Sequence, residues 1–286
     1  MRVAFIGLGR MGSGMVGRLL TLGFPIAVYD RVPGQREAMA ACGAVACDSV
    51  AAAVRSCEVV LTMVTDDQAL SAVVSDGLID ALPTGAIHVA MGTHGIPAIE
   101  ALEAAHADRG QTLLAAPVFG RPDFAARGDL GIAVGGPEPA RARCMPLFNV
   151  MGTRVFVAGS RAKTASAIKV ANNFLLGCAI EAMGEAFAMV ERHSVGRQQF
   201  YDFLSEGFLA APAYTVYGRI IADESYGQVG VTARIGLKDA KLALAAAAAA
   251  GVTLPSAQVW HASLEKAIAS GDGDKDWAVM ARHSQD

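Results

Sequence analysis

The amino-acid sequence predicts an α/β protein in which a doubly wound parallel sheet is followed by a long interdomain helix and an all-α C-terminal domain. Three observations predict this fold class: β-branched runs alternate with helical patterns as far as about residue 160, a glycine-rich turn follows the first run, and no convincing strand follows Gly159. The chain of 286 residues also exceeds one ordinary domain, which spans about 100 to 200 residues.

The composition indicates a compact chain. Hydrophobic residues make up 53% of it and charged residues 18%, which excludes a disordered chain. With 24 basic and 27 acidic residues, the sequence lacks the basic balance that nucleic-acid binding requires. Much of the apolar content is alanine, and no uninterrupted apolar run reaches about 18 residues, so we expect no membrane partner. The spacing of the cysteines and histidines predicts no metal site and favours reduced thiols in a cytoplasmic protein.

Five runs in the first half predict parallel strands, because each is followed by a helical pattern. They lie at residues 2–7, 25–30, 58–64, 86–91 and 112–118. Crossover helices are predicted over residues 11–23, 33–43, 66–78 and 96–110. Two further runs, 131–136 and 153–159, flank a helical segment at 139–152. We therefore predict a first domain over residues 1–160.

The chain after Gly159 predicts helices only. Residues 161–193 contain no proline and can form one connecting helix, which would be about 45 Å long. Residues 194–286 include the alanine tract 242–251 and predict a helical domain for substrate contacts and dimerisation. We expect a homodimer.

A glycine-rich turn carries the first functional signal. The residues Gly7, Leu8, Gly9, Arg10, Met11 and Gly12 match GxGxxG directly after the first strand and at the start of the first helix. In that context the first glycine permits a tight turn, the second lets a pyrophosphate approach the backbone, and the third lets helix and strand pack closely. This pattern predicts a Rossmann-type dinucleotide site.

The end of the second strand bears on the choice of cofactor. Asp30 lies near the position, about 20 residues beyond the glycine turn, where an acidic side chain accepts hydrogen bonds from the ribose of NAD. Arg31 follows it and is either a ligand for the 2′-phosphate of NADP or an exposed loop charge. We expect NAD, with NADP as the alternative.

A polar face crosses the predicted long helix. Ser166, Lys169 and Asn173 fall at i, i+3 and i+7 and therefore share one side. Desolvation among the apolar neighbours of Lys169 would suit a residue that gives or takes a proton near neutral pH. Spacing alone slightly favours the other interpretation, a solvated stripe on an amphipathic helix.

Four motifs resemble the β-hydroxyacid dehydrogenase family, which includes 3-hydroxyisobutyrate dehydrogenase and the semialdehyde and glyoxylate reductases. They are GLGRMGSGM (7–15), APVFGRPDFAARGDL (116–130), KVANN (169–173) and GLKDAKLAL (236–244), in the family's order and spread over nearly the whole chain. The resemblance implies hydride transfer between NAD(P) and a small β-hydroxyacid or semialdehyde, with no metal.

The resemblance also implies roles for individual residues. Lys169 would protonate the carbonyl oxygen during reduction or take the hydroxyl proton during oxidation, and Asn173 would hold the substrate and orient the lysine. Lys238 in the KD motif would close over the cofactor and substrate, with Asp239 beside it. The other implied contacts are made with the cofactor by Val64, Thr65 and Thr93, and with the substrate by Val118, Phe119, Gly120, Arg121 and Asn172.

The chain departs from the family pattern where the substrate would enter. The usual Pro-Val-Ser-Gly-Gly is here PVFGR (117–121), so that Phe119 replaces a hydroxyl with a ring, while Arg121 either restores anion binding or lies at the surface. The usual Asp-Met-Ser-Thr is AMGT (90–93), followed by His94, which either faces the site or, as we favour, is a partly exposed loop histidine. These departures leave two alternatives open: an imine reductase-like enzyme and a catalytically silent cofactor-binding module.

Overall fold

The computed structural model describes residues 1–285, which form two compact units. The first unit spans Met1–Lys169 and the second begins at Val170. The division falls within the long helix that the sequence predicts, so that the helix belongs partly to each unit.

A nine-stranded sheet forms the centre of the first unit. The strands are β1 (Val3–Ile6), β2 (Ile26–Tyr29), β3 (Val45–Ala46), β4 (Val59–Thr62), β5 (Ile87–Ala90), β6 (Thr112–Ala115), β7 (Val118–Phe119), β8 (Leu130–Gly135) and β9 (Gly152–Gly159). They are ordered β3-β2-β1-β4-β5-β6-β8-β7, with β9 paired to β8. Because β1 has β2 on one side and β4 on the other, the strand order reverses there, and α/β sheets bind ligands at such a switch point.

Helices connect these strands and form the second unit. Those that begin in the first unit are α1 (Arg10–Thr21), α2 (Pro33–Ala41), α3 (Val50–Val54), α4 (Asp67–Ser75), α5 (Leu78–Ala81), α6 (Ile96–Ala107), α7 (Pro122–Arg127), α8 (Glu138–Met151) and α9 (Ala162–Arg192). The second unit adds α10 (Arg197–Glu206), α11 (Pro212–Ala222), α12 (Ala233–Ala249) and α13 (Pro255–Ala267), then a turn over Ile268–Asp272 and a 3-10 segment over Trp277–Gln285. The α/β prediction, including the long helix and the helical C-terminal part, is confirmed.

Three local features differ from the sequence prediction. The run 112–118 is divided between β6 and β7, with Pro117, which has no N–H for a sheet bond, between them. The segment 66–78 forms two helices because Gly77, with φ +95°, interrupts them. The sheet is also not wholly parallel, since β8 pairs antiparallel with β6 and β7.

Both faces of the sheet are covered. In β1 the side chains of Val3 and Phe5 join one apolar cluster, and those of Ala4 and Ile6 join another. Because successive side chains of a strand point to opposite faces, the strand is buried on both sides. This explains why the predicted strands are continuous apolar runs rather than alternating ones.

A chain of hydrogen bonds runs through the buried interior of the first unit. It joins Thr62 Oγ1 to His88 Nε2 (2.9 Å), His88 Nδ1 to His106 Nε2 (2.8 Å) and His106 Nδ1 to Gln111 Oε1 (2.7 Å). Both rings have an exposed fraction of 0%. Burial, followed by the neighbouring His106, lowers the pKa of His88 well below its ordinary value, and burial also lowers the pKa of His106. We call these four residues the histidine chain.

The helix α9 is apolar and 31 residues long, so by length and composition alone it could cross a membrane. Its part in the second unit instead belongs to a packed helical core. At Gly177 any Cβ would collide with the ring of Trp260, and Glu181 Oε1 accepts a 2.8 Å hydrogen bond from Ser263 Oγ. These contacts pack α9 against α13 within the second unit.

Candidate active site

The predicted cofactor and loop residues of the first unit gather at one edge of its sheet. Each group follows the carboxyl end of a strand: Gly7–Gly12 after β1, Asp30 and Arg31 after β2, Val64 and Thr65 after β4, Thr93 after β5, and Val118–Arg121 after β6. Because β1, β2, β4, β5 and β6 are parallel, their carboxyl ends share this edge. The fold therefore brings together residues that are dispersed in the sequence.

The glycine turn has a geometry that suits a phosphate group. Gly7 has φ +95°, and a Cβ there would collide with the carbonyl oxygen of Met63 in the loop after β4. A Cβ at Gly12 would collide with the carbonyl oxygen of Gly7, whereas a Cβ at Gly9 would meet no atom within 4 Å. The helix α1 then begins at Arg10 with Gly9 as its N-cap. The turn is therefore tight at its ends and open at its middle, where the helix N-terminus attracts an anion.

Asp30 is hydrogen-bonded to this turn. Its Oδ2 accepts a 2.7 Å hydrogen bond from the backbone N–H of Leu8, and its Oδ1 accepts a 2.8 Å bond from the N–H of Val32. Arg36 Nη1 donates to the carbonyl oxygen of Asp30 at 2.8 Å. The carboxylate thus joins the end of β2 to the glycine turn, while Arg31 is exposed.

The candidate residues in the loops after β4 and β5 are not equally exposed. Thr65 is exposed, and its hydroxyl donates to Asp66 Oδ2 at 3.0 Å. Val64 and Thr93 are half-buried. Asp66 also caps α4 by accepting a 2.8 Å bond from the N–H of Ala69, which fixes the start of that helix beside Thr65.

His94 is enclosed, so the interpretation of a partly exposed loop histidine is wrong. Only 2% of it is exposed, and its Nδ1 lies 3.1 Å from Asp67 Oδ1, which also accepts from the N–H of Gly95. The enclosure depends on Gly92, where a Cβ would lie 2.5 Å from His94 Nε2. Gly92, which stands where the family usually has serine, therefore leaves room for the imidazole of His94. The sequence shows this glycine, but its effect on His94 can be recognised only from the packing.

Lys169 contacts the loop after β6. Its Nζ donates a 2.9 Å hydrogen bond to the carbonyl oxygen of Val118 and lies 4.7 Å from the ring centroid of Phe119. Gly120 has φ +143°, and Arg121 is the N-cap residue of α7, partly buried and with Nη1 enclosed. Arg121 is therefore not a fully exposed surface residue.

The second unit contains a polar cluster around Asp239. Asn173 Nδ2 donates to Asp239 Oδ2 at 2.8 Å, and Lys238 Nζ lies 2.9 Å from Asp239 Oδ1. Asn172 Nδ2 donates to Asn173 Oδ1 at 3.3 Å. Asp239 is 4% exposed and holds both Asn173 and Lys238, a role that our candidate residues did not include although the KD motif contains it.

The first unit therefore fits a dinucleotide: a tight glycine turn with an open middle, a helix N-terminus, and a carboxylate at the end of β2. This fold and site define an NAD(P)-binding oxidoreductase. Residues 2–159 match the NAD binding domain of 6-phosphogluconate dehydrogenase, and residues 164–284 match the NAD-binding domain of NADP-dependent 3-hydroxyisobutyrate dehydrogenase. The chain belongs to the β-hydroxyacid dehydrogenase family, which confirms the resemblance drawn from its motifs.

Individual relatives agree with this assignment. The chain is 39% identical to the uncharacterized oxidoreductase YfjR of Bacillus subtilis (strain 168) over 99% of each sequence. The solved structure of Mycobacterium tuberculosis 3-hydroxyisobutyrate dehydrogenase with L-serine has a TM-score of 0.90, 25% identity, and covers 100% of this chain and 99% of its own. An imine reductase of Streptomyces aurantiacus has a TM-score of 0.68 over 100% of both chains, but at 19% identity it shows the fold alone.

Proposed function

We propose that this protein transfers a hydride between NAD(P) and a small β-hydroxyacid or semialdehyde, with Lys169 as the general acid and base. The observation that carries the proposal is the 2.9 Å hydrogen bond from Lys169 Nζ to the carbonyl oxygen of Val118. Val118 follows β6, so this bond holds an ammonium group at the sheet edge where the glycine turn and the other cofactor loops lie.

The proposed chemistry needs one hydride and one proton. A nicotinamide held by the glycine turn would supply the hydride for the carbonyl carbon. Lys169 gives a proton from Nζ to the carbonyl oxygen, so that the C=O double bond is replaced by new C–H and O–H bonds. In oxidation, the neutral Nζ takes the hydroxyl proton instead. Removing such a general acid costs about 10²- to 10⁴-fold in rate.

The remaining residues would bind and orient. We assign the cofactor to Gly7–Gly12, Asp30, Arg31, Val64, Thr65, Thr93 and Lys238, and the substrate to Val118–Arg121, Asn172 and Asn173. Asp239 supports this assignment because its carboxylate fixes the amide of Asn173. Asp30 favours NAD over NADP, since a carboxylate accepts from ribose hydroxyls and repels a 2′-phosphate.

We also propose a homodimer in the cytoplasm. The second unit exposes large apolar side chains, including 66% of Leu175, 71% of Phe203 and all of Phe208. Covering these side chains with a second chain would remove apolar surface from water, which favours association. Light scattering should give about twice the chain mass, and a stable monomer would contradict the dimer.

The test of the lysine is a pair of variants on one helix. Lys169→Ala should lower kcat by about 10²-fold or more while NADH binding, measured by nicotinamide fluorescence, stays the same. Lys163→Ala is the matched control, because Lys163 also lies on α9 but pairs with Glu100 at 2.6 Å. Near-normal turnover by Lys169→Ala on semialdehydes and β-hydroxyacids would refute the role.

The second candidate function is imine reduction. It is favoured by Phe119, whose ring gives the loop an apolar surface where the family usually has a hydroxyl. Turnover of a cyclic imine without turnover of any semialdehyde would favour this candidate. Cofactor binding without turnover of either would favour a catalytically silent module.

A further inference from the structure

We propose that Phe119 is a positioning residue for Lys169, and that the face of its ring holds the lysine ammonium against the loop in its charged form. The catalytic meaning of this inference rests on the proposed function. The contact itself can be tested without turnover.

Two consecutive residues surround the ammonium with electron-rich groups. Val118 offers its carbonyl oxygen at 2.9 Å, and Phe119 offers its ring, with the centroid 4.7 Å from Nζ. A cation within about 6 Å of an aromatic centroid is attracted by the negative face of the ring. Both interactions favour the ammonium over the neutral amine, because the amine carries no net charge for them to attract.

The sheet supports the ring in this place. Phe119 lies in β7 and is paired with Gly131 of β8, so no side chain stands opposite it. A Cβ at Gly131 would lie 3.4 Å from the Cβ of Phe119. The half-buried ring packs on the apolar cluster that also includes Ile168, the residue before Lys169. The strand pair and this apolar cluster therefore both hold the ring in place.

Phe119 stands where the family usually has serine, and this difference changes the interactions that the loop can make with a ligand. A serine hydroxyl can donate a hydrogen bond to a substrate carboxylate, whereas a phenyl ring has no donor. The same ring attracts a cation. Phe119 therefore contacts the ammonium of Lys169 and does not donate a hydrogen bond to the substrate. A substrate carboxylate would have to be bound by other groups.

The test measures the protonation of Lys169 by its reactivity. Intact protein is labelled with acetic anhydride over a pH series, and acetylation of Lys169 is quantified by mass spectrometry, because only the neutral amine reacts. The pH midpoint of labelling is compared between the parent and Phe119→Met, which keeps an apolar side chain but has no ring. Phe119→Leu is a second variant without a ring, whereas Phe119→Tyr keeps an aromatic ring.

We expect the midpoint to fall by about 0.4 to 1 pH unit in the Met and Leu variants, and to stay at the parent value in Phe119→Tyr. Phe124→Leu is the matched control, since Phe124 lies in the same segment but its ring is 4.8 Å from the guanidinium of Arg127. Its midpoint should equal that of the parent.

The outcomes separate the two proposals. An unchanged midpoint in folded Phe119→Met and Phe119→Leu overturns the inference, even if the parent reduces semialdehydes normally. A lowered midpoint in a parent that reduces no carbonyl compound would support the contact and contradict the proposed function.

Discussion

The histidine chain should make the stability of the first unit depend on pH. Gln111 Nε2 donates to the carbonyl oxygens of Ile79 and Leu82, which leaves its Oε1 as an acceptor. His106 must therefore donate from Nδ1 and accept at Nε2, where His88 donates its own Nδ1–H. Each ring then carries a single proton and is neutral. A second proton on either ring would place a charge in the buried interior, and on His106 Nε2 it would also meet the Nδ1–H of His88.

The sign and size of the effect follow from the lowered pKa values. In the unfolded chain both rings take up protons below about pH 6.5, whereas the folded rings resist protonation. The unfolded state thus binds more protons, so the free energy of unfolding is fully maintained above pH 6.5 and falls as the pH decreases toward the folded pKa values. Between pH 7.5 and 5.5 the loss should be about 1.4 kcal/mol for His88 and up to about the same for His106.

Urea denaturation at pH 7.5, 6.5 and 5.5 would measure this loss in the parent and in His88→Gln. Far-UV circular dichroism follows both units, while the fluorescence of Trp260 and Trp277 follows the second unit, so the two signals show which unit is destabilised. The variant should be less stable at pH 7.5 but should lose about 1.4 kcal/mol less than the parent on acidification.

His193→Gln is the control, because His193 is exposed and lies outside the histidine chain. Its loss on acidification should equal that of the parent. An equal loss in the parent and in His88→Gln would refute the reasoning, since it would mean that the buried ring is not held neutral by folding.

Three further predictions concern the cofactor turn and the polar cluster. Asp30→Ala should weaken NADH binding by about tenfold or more, because it removes the acceptor for the ribose hydroxyls and the charged hydrogen bond to the turn. It should weaken NADPH binding less, because it also removes the charge that repels the 2′-phosphate; equal losses in a fluorescence titration would show that Asp30 does not discriminate the ribose. Gly12→Val should abolish cofactor binding, since its Cβ would collide with the carbonyl oxygen of Gly7; a dissociation constant like that of the parent would contradict this packing. Asn173→Leu should destabilise the second unit by about 2 kcal/mol by removing the bond to Asp239, and an unchanged urea midpoint in tryptophan fluorescence would argue against that bond.

The parts of the fold and site that could be predicted are those encoded by local pattern. The glycine turn and Asp30 each follow a continuous apolar run, which predicts a buried parallel strand. The sequence therefore indicated that both features lie at the carboxyl edge of the sheet. The helix that carries Lys169 and Asn173 could be deduced from the period of one segment, whereas their roles stay a prediction from the family motif. In these cases the residues that define the feature lie close together in the sequence.

The features that escaped prediction depend on contacts between distant segments. His88 lies on β5 and His106 on α6, and their bond requires the packing of that helix on the sheet. The bond from Asn173 to Asp239 spans 66 positions. The burial of His94 depends on empty space at Gly92, and the six-residue helix α7 is not among the elements that the sequence predicts. Periodicity contains no information on such pairings.

The hydrogen bond from the N–H of Leu8 to Asp30 limits how the cofactor preference of this protein can be altered. A designer who wishes to admit NADP would first exchange the acidic residue after β2 for a neutral or basic one. Here that exchange would also remove the acceptor that holds the N–H of Leu8 in place. A switch of coenzyme would therefore require a compensating acceptor for that amide as well, and a lineage evolving toward NADP would have to acquire the replacement before losing the carboxylate.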